Sequence, residues 1–133
     1  MVTKLGMNIM LSILGNVSEV FKEEVSRIAR YVSSFALKRG LSLPEEVIIS
    51  FHEYFRGNDN WLNVFEGVHI NMDDYRLMVI EKASMDNVNF QRVLAGLFAC
   101  ILIHNFQSVS NEEILVFVNE HFLKVLSYIY ARD

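Results

Sequence analysis

A run of apolar residues without a single charge constrains this chain more than any other feature. Between Val93 and Ile103 there is no charged or strongly polar side chain, and Arg92 stands directly before the run. A helix that is apolar on every face belongs in the middle of a core or in a bilayer, and a bilayer needs roughly 20 such residues. The run is too short to cross a bilayer, so it predicts a buried central helix with Arg92 near its start.

Arg92 needs a partner, because a cation beside a buried helix is costly unless an acid or a hydrogen-bond acceptor meets it. Asp86 is the simplest candidate, since it lies nearby in the sequence. Asp86, Asn87 and Asn89 are also candidates for the N-cap of the helix. The other interpretation is that Arg92 meets an acid on a binding partner.

The residues around Arg92 resemble the signature of a known family. Residues 86–92 read Asp-Asn-Val-Asn-Phe-Gln-Arg and are similar to the Asp-Gly-Val-Asn-Trp-Gly-Arg motif in the first homology region of the Bcl-2 apoptosis regulators. Asn89 and Arg92 match this motif, Phe90 replaces its tryptophan, and Asn87 and Gln91 stand where the family usually has glycine. Residues 31–40 resemble the end of the family's first helix, which closes with a similar Arg-Gly.

This resemblance implies an all-α fold: a Bcl-2-like helical bundle with a central apolar helix and a surface groove that binds BH3 helices. We expect residues 1–133 to form this single domain, without a C-terminal membrane anchor. Helix signals elsewhere agree with it. Apolar residues from 21 to 35 repeat at helical intervals, and capping-box spacings at Ser42/Glu45 and Ser110/Glu113 predict helices over 42–55 and from 110 to the terminus. A further helix is expected to start in the polar cluster 71–74.

The resemblance also implies a binding site. Arg92 would pair with the aspartate of a BH3 helix, and Asn89 would cap the central helix and bind the ligand backbone. Gln91, which replaces a glycine, is expected to narrow the range of partners. The groove floor and its opposite wall would be formed by Val79, Ala83, Leu94, Ala95, Phe51, Tyr54, Phe55 and Phe65. The aromatic residues in this set have a plainer interpretation as ordinary core.

Composition excludes several other functions. The net charge of −4 argues against a nucleic-acid ligand, which needs a concentrated basic face. The four histidines lack metal-ligand spacing, the single Cys100 has no second thiol, and no nucleophile or phosphate-loop motif is present. We therefore expect neither an enzyme nor a bound cofactor or metal. A hydrophobic content of 52% with only 21% charged residues predicts an apolar surface that awaits a partner.

Three functions follow from these observations. The first is an inhibitor of apoptosis that sequesters the BH3 helices of pro-apoptotic proteins, in the host cytoplasm or recruited to the mitochondrial surface through its partners. The second is a Bcl-2-like viral scaffold that binds an inflammatory-signalling protein through a helix face. The third is an unrelated small helical protein. A homodimer that covers the empty groove is a further expectation, whereas an integral membrane segment is not. The apolar residues 1–15 are expected to fold with the domain, although they have some features of a secretion signal or a membrane-contacting segment.

Overall fold

The described part of the chain folds as an α/β domain in which three helices accompany one six-stranded sheet. The computed structural model describes residues 2–5 and 9–130, with side chains described from residue 10 onward. The elements in chain order are β1 (Val2–Leu5), β2 (Ile9–Leu14), α1 (Glu19–Lys38), β3 (Glu46–His52), β4 (Trp61–Phe65), β5 (Val68–Asn71), β6 (Leu77–Glu81), α2 (Asp86–Phe106) and α3 (Asn111–Tyr130). Much of the apolar segment 1–15 therefore forms strands, while Met1 and residues 6–8 lie outside the described residues.

The sheet is mixed, with the strand order β1-β2-β3-β6-β5-β4. Its three central strands are parallel: β2 pairs with β3, and β3 pairs with β6. Helix α1 connects β2 to β3, which is the usual way for a chain to join parallel neighbours. The outer strands β1, β5 and β4 are added in antiparallel fashion.

The prediction of an all-α bundle is therefore wrong, and the error lies in the middle of the chain. The helix expected over 42–55 is replaced by β3, in which Val47, Ile49 and Phe51 are buried and alternate with more exposed residues. Apolar side chains at 47, 48, 51, 54 and 55 satisfy a helical spacing as well. The β-branched run from Val47 to Ile49 favours a strand, however, and the burial of one face of the sheet decides between helix and strand.

The polar cluster 71–74 was also misread. Asn71 Oδ1 accepts hydrogen bonds from the backbone N–H groups of Asp73 and Asp74, so the polar cluster forms a turn between β5 and β6 instead of starting a helix. Gly67 has a φ of +77° and closes the short connection between β4 and β5. A left-handed conformation of this kind suits glycine and is typical of hairpin turns.

The three helices that were predicted outside this region are present. Ser18 caps α1 by accepting a hydrogen bond from the backbone N–H of Phe21. The predicted cap of α3 is confirmed, because the Ser110 hydroxyl accepts a hydrogen bond from the Glu113 N–H. The Glu113 carboxylate accepts from the same hydroxyl, whereas in a complete capping box it would accept from the backbone N–H of the serine. The predicted N-cap of α2 is wrong, since Met85 occupies that position without a side-chain hydrogen bond.

Helix α2 is the buried centre that its sequence predicts. Twelve of its residues are buried, including Phe90, Leu94 and Cys100. By length and composition alone, α2 is apolar enough to cross a membrane, but 67% of the relevant window is buried inside the protein. Burial of this extent is typical of a core helix in a folded domain.

Helix α2 approaches the sheet closely at Gly96. A Cβ atom at this position would lie 2.5 Å from Met78 Sδ on β6 and 3.2 Å from Val68 Cγ1 on β5. These distances are shorter than ordinary van der Waals contacts, so the absence of a side chain sets the spacing between helix and sheet.

We predict that Gly96→Val destabilises the protein by about 1–3 kcal/mol, because an overpacked core must shift its neighbours. Met78→Ala removes the nearest obstacle, so the double variant should lose less stability than the sum of the two single variants. Urea unfolding of the four proteins measures this coupling. Additive losses would show that Gly96 does not set the distance to Met78.

Candidate helix-binding groove

Arg92, the central residue of the predicted site, fastens α2 to the sheet. Its Nε donates to the backbone carbonyl of Glu66 at 2.9 Å, and its Nη1 donates to the carbonyl of Glu81 at 2.6 Å. Gly67 makes room for this arrangement, since a Cβ there would lie 2.6 Å from Arg92 Cζ. The partners of the guanidinium are therefore carbonyl groups of the β4–β5 turn and of the last residue of β6, and not the local acid Asp86.

Asn89 has a similar structural role. It is 7% exposed, its Oδ1 accepts from the Ala83 N–H at 2.8 Å, and its Nδ2 donates to the Ala83 carbonyl at 3.1 Å. The amide thus satisfies both backbone groups of one residue in the loop that leads from β6 into α2. A buried amide that is paired twice holds this loop in place.

The remaining residues of the predicted groove are dispersed. Leu94 and Ala95 are fully buried in the core, whereas the side chain of Tyr54 is 68% exposed. The Phe55 ring packs against Trp61 and His69. Val79 and Phe65 lie on strands β6 and β4, and Gln91 is half-buried on α2. Only Phe51, Ala83 and Asn89 share a hollow, of about 250 Å³, which also contacts Lys82 and the start of α1.

An apolar groove exists elsewhere, between α2 and α3. It consists of two hollows of about 420 and 580 Å³ that share four lining residues: Phe98, Leu102, Phe117 and Glu120. The first hollow extends to Val116 on α3, and the second to Phe35, Leu41 and Phe106. We call this pair of hollows the α2–α3 groove.

The floor of the α2–α3 groove is a stripe on α2. Phe98, Leu102 and Phe106 are four residues apart and so lie on one face of the helix. Their exposure increases along the stripe, from 7% at Phe98 to 60% at Phe106. Phe35 and Phe117 contact each other and Phe98, and they complete an aromatic lining. An exposed phenylalanine beside an open apolar hollow marks a surface suited to a partner.

The two hollows of the groove differ in charge: the larger contains a cation as well as a carboxylate, whereas the charged residues of the smaller are all acidic. Arg39, the C-cap residue of α1, lines the larger hollow with its guanidinium 4.2 Å from the centre of the Phe35 ring. Glu112 and Glu113 line the smaller hollow, and Glu120 lines both. Within the described part of the chain, no carboxylate forms an ion pair with Arg39.

His121 forms part of the wall of the larger hollow and joins α3 to α1. Its Nδ1 is hydrogen-bonded to the Tyr31 hydroxyl at 2.9 Å, and its ring packs against Phe35 and Phe117. Burial lowers the pKa of His121 below 6.5, and the nearby Lys124 and Arg39 add to this effect against the opposing influence of Glu120. The imidazole is therefore held in its neutral form.

The described residues offer little for catalysis. Burial raises the pKa of the Cys100 thiol to about 12, and the thiol donates a hydrogen bond to the Tyr75 carbonyl. A thiol in this state is a poor nucleophile. Each histidine is hydrogen-bonded within the protein: His52 to Ser50, His69 to Glu81 and Asn63, His104 to Tyr75 and His121 to Tyr31. Between residues 10 and 130, no three histidine, cysteine, aspartate or glutamate side chains are grouped to hold a metal.

Sequence reasoning missed the α2–α3 groove, although one signal was available. The recurrence of Phe98, Leu102 and Phe106 is visible in the sequence, but every face of α2 is apolar, so the uncovered face cannot be distinguished from the buried ones. The sequence placed Arg39 only in the Arg-Gly pair that ends a helix. Its position beside Phe106 depends on the packing of α1 against α2, which no local pattern encodes.

Comparison of the chain with protein-family models, with curated proteins and with solved structures finds no match.

We predict that Arg92→Ala lowers the free energy of unfolding by about 1–3 kcal/mol, because two charge-assisted hydrogen bonds between α2 and the sheet are lost. The free energy of unfolding of Arg92→Lys should lie between those of Arg92→Ala and the wild type, since a single ammonium group does not reproduce the two hydrogen bonds of the guanidinium. Arg30→Ala, at an exposed position on α1, is the matched control. Equal stability of the Arg92→Ala and Arg30→Ala variants in urea unfolding would contradict the fastening role.

The lowered pKa of His121 predicts a loss of stability in acid. Above pH 6.5 the residue is neutral in both the folded and the unfolded chain, so it makes no difference to stability there. Below pH 6.5 the unfolded chain takes up a proton that the folded protein resists, and stability falls as the pH drops toward the folded-state pKa. Urea unfolding at about pH 7.5 and pH 5 should show a smaller acid loss in His121→Gln than in the wild type. His52→Gln, at an exposed position, should behave as the wild type, and identical acid losses in all three proteins would refute the assignment.

Proposed function

We propose that this protein is a non-catalytic binding module that holds an amphipathic helix of a partner protein in the α2–α3 groove. The observation that carries the proposal is the continuous apolar lining between two helices, which ends at the 60% exposed Phe106. Grooves of this kind receive the apolar face of a helix through residues spaced three and four apart.

The charges at the groove specify the ligand further. Arg39 offers a planar cation beside the larger hollow, and an aspartate or glutamate of the ligand would pair with it. Glu112 and Glu120 favour basic side chains at the smaller hollow. A ligand helix with an apolar stripe, an acid toward Arg39 and a lysine or arginine toward Glu112 therefore complements the groove, and its direction is set by these charges.

The predicted BH3 ligands are one example of this class, because a BH3 helix presents apolar residues and an aspartate on one face. Inhibition of apoptosis by BH3 capture stays a prediction, as does its location in the host cytoplasm. The bundle on which it was based is absent, and the Arg92 guanidinium already donates to two backbone carbonyls. If a BH3 peptide binds in the α2–α3 groove, its aspartate is expected to meet Arg39.

Calorimetric titration with a panel of BH3 peptides tests the groove. Arg39→Ala should weaken binding by about tenfold or more, since a hydrogen bond to a charged group contributes about 1.5–3 kcal/mol. Phe106→Ser should weaken it as well, at a position exposed enough to leave the fold intact. Arg30→Ala, on the same helix as Arg39 but absent from the groove lining, is the control.

Two results would overturn the proposal. One is the absence of heat with any peptide from a folded sample, since the charge pattern of the groove matches these ligands. The other is binding that is unchanged by Arg39→Ala and Phe106→Ser, which would place the ligand elsewhere on the protein.

A further inference from the structure

A separate hollow lies at the edge of the sheet where three parallel strands end. Strands β2, β3 and β6 run in the same direction, so their carboxyl ends meet at one edge. The hollow of about 250 Å³ that contains Phe51, Ala83 and Asn89 lies there, because the segments after β2 and β6 and the end of β3 line it. In open α/β sheets, ligands bind in the crevice outside the carboxyl ends of the strands. We call this space the strand-end hollow; it shares no lining residue with the α2–α3 groove.

Hydrogen bonds between its segments hold the walls of the strand-end hollow in place. Lys82 Nζ donates to the Asn16 carbonyl at 2.8 Å and so joins the segment after β2 to the segment after β6. The backbone N–H of Lys82 donates to the His52 carbonyl at 2.7 Å. Asn89 holds both backbone groups of Ala83. A preformed hollow of this kind binds a small ligand without the cost of ordering its walls.

The floor of the strand-end hollow is aromatic. The rings of Phe21 on α1 and Phe51 on β3 meet edge to face, with their centres 5.3 Å apart. Both rings line the hollow, together with the 61% exposed Val20. Because a water molecule in the liquid takes about 30 Å³, the hollow has room for a ligand of about eight non-hydrogen atoms. That size is too small for a nucleotide and suits a ligand with one short apolar part.

The rim of the strand-end hollow has charges of both signs. Lys82 provides a cation, whereas Asp86 on α2 and Glu24 on α1 provide carboxylates. Among the described residues, Lys82 forms an ion pair with the 83% exposed Glu53, at 3.4 Å, and none with Asp86. An ion pair this exposed is weak, so a ligand carboxylate can replace Glu53. An ammonium group has three donors, and Lys82 can therefore keep its bond to Asn16 when it binds a ligand.

We propose that the strand-end hollow binds the zwitterion of a small apolar α-amino acid. The ligand carboxylate binds Lys82, its ammonium group binds Asp86, and its side chain packs on the rings of Phe21 and Phe51. The two carboxylates of the rim disfavour a purely anionic ligand. Lys82 disfavours a purely cationic one, as do the positive ends of α1 and α2, which both start at the hollow. A zwitterion complements both signs of charge.

Calorimetric titration with an amino acid and its two singly charged analogues tests the proposal. L-leucine should bind with a dissociation constant of about 1 mM or below. We expect about tenfold weaker binding of 3-methylbutylamine, which lacks the carboxylate, and of 4-methylpentanoate, which lacks the ammonium group. The proposal is wrong if L-leucine, L-methionine and L-phenylalanine all fail to bind at about 10 mM, or if either analogue binds as tightly as L-leucine.

Two variants identify the groups that bind each charge. Asp86→Asn, at an exposed position, should weaken binding of L-leucine by about tenfold and abolish its advantage over 4-methylpentanoate. Lys82→Met should weaken binding of L-leucine to a similar extent and abolish its advantage over 3-methylbutylamine. The matched controls are Asp59→Asn and Lys38→Met, at exposed positions outside the hollow, and both should bind as the wild type does. An unchanged affinity for L-leucine in either Asp86→Asn or Lys82→Met would overturn the proposal.

Discussion

The need to bury most of α2 determines the arrangement of the other elements. Any face of this helix that is in contact with water exposes apolar surface, and each square ångström of that surface costs about 25 cal/mol. The sheet covers one side, through Met78 and Val68 at the position where Gly96 allows close approach. Helices α1 and α3 cover the flanks through aromatic contacts of Phe35 and Phe117 with Phe98. Arg92 adds the directional part of the attachment, because its guanidinium binds one carbonyl of the β4–β5 turn and one at the end of β6.

The sequence predicted α1, α2 and α3 because each carries a signal that does not depend on distant residues. Ser18 and Ser110 cap their helices locally, and the charge-free run of α2 is too apolar for any exposed position. The strands were missed because their signals are ambiguous in isolation. Val47 to Phe55 satisfies both helical and strand spacing, and the choice between them depends on β2 and β6, which lie far away in the chain but pair directly with β3.

The difference between local signals and signals that depend on distant residues also explains how the site was predicted. A motif of seven residues led to Arg92 and Asn89, and both side chains do make specific polar contacts. Those contacts are with backbone groups of the β6–α2 region and the β4–β5 turn, whose positions depend on the sheet. Recognition of the motif thus identified residues that need partners, but it assigned the partners from a helical bundle that this chain does not form. The α2–α3 groove arises from three separate helices, so no local motif predicts it.

The distribution of apolar surface indicates which side of the molecule binds. The core is formed by the buried faces of the three helices and by one face of the sheet, in which Leu11, Ile49 and Ile80 are fully buried. Along β3, β5 and β6, Ser50, His52, His69 and Glu81 take positions that alternate with the buried ones, and they hydrogen-bond in pairs. Much of the remaining exposed apolar surface lies instead on the helices, at Phe106, Val116 and Leu123. Since scattered exposure has no functional meaning but a continuous patch does, the helical side is where partners are expected to bind.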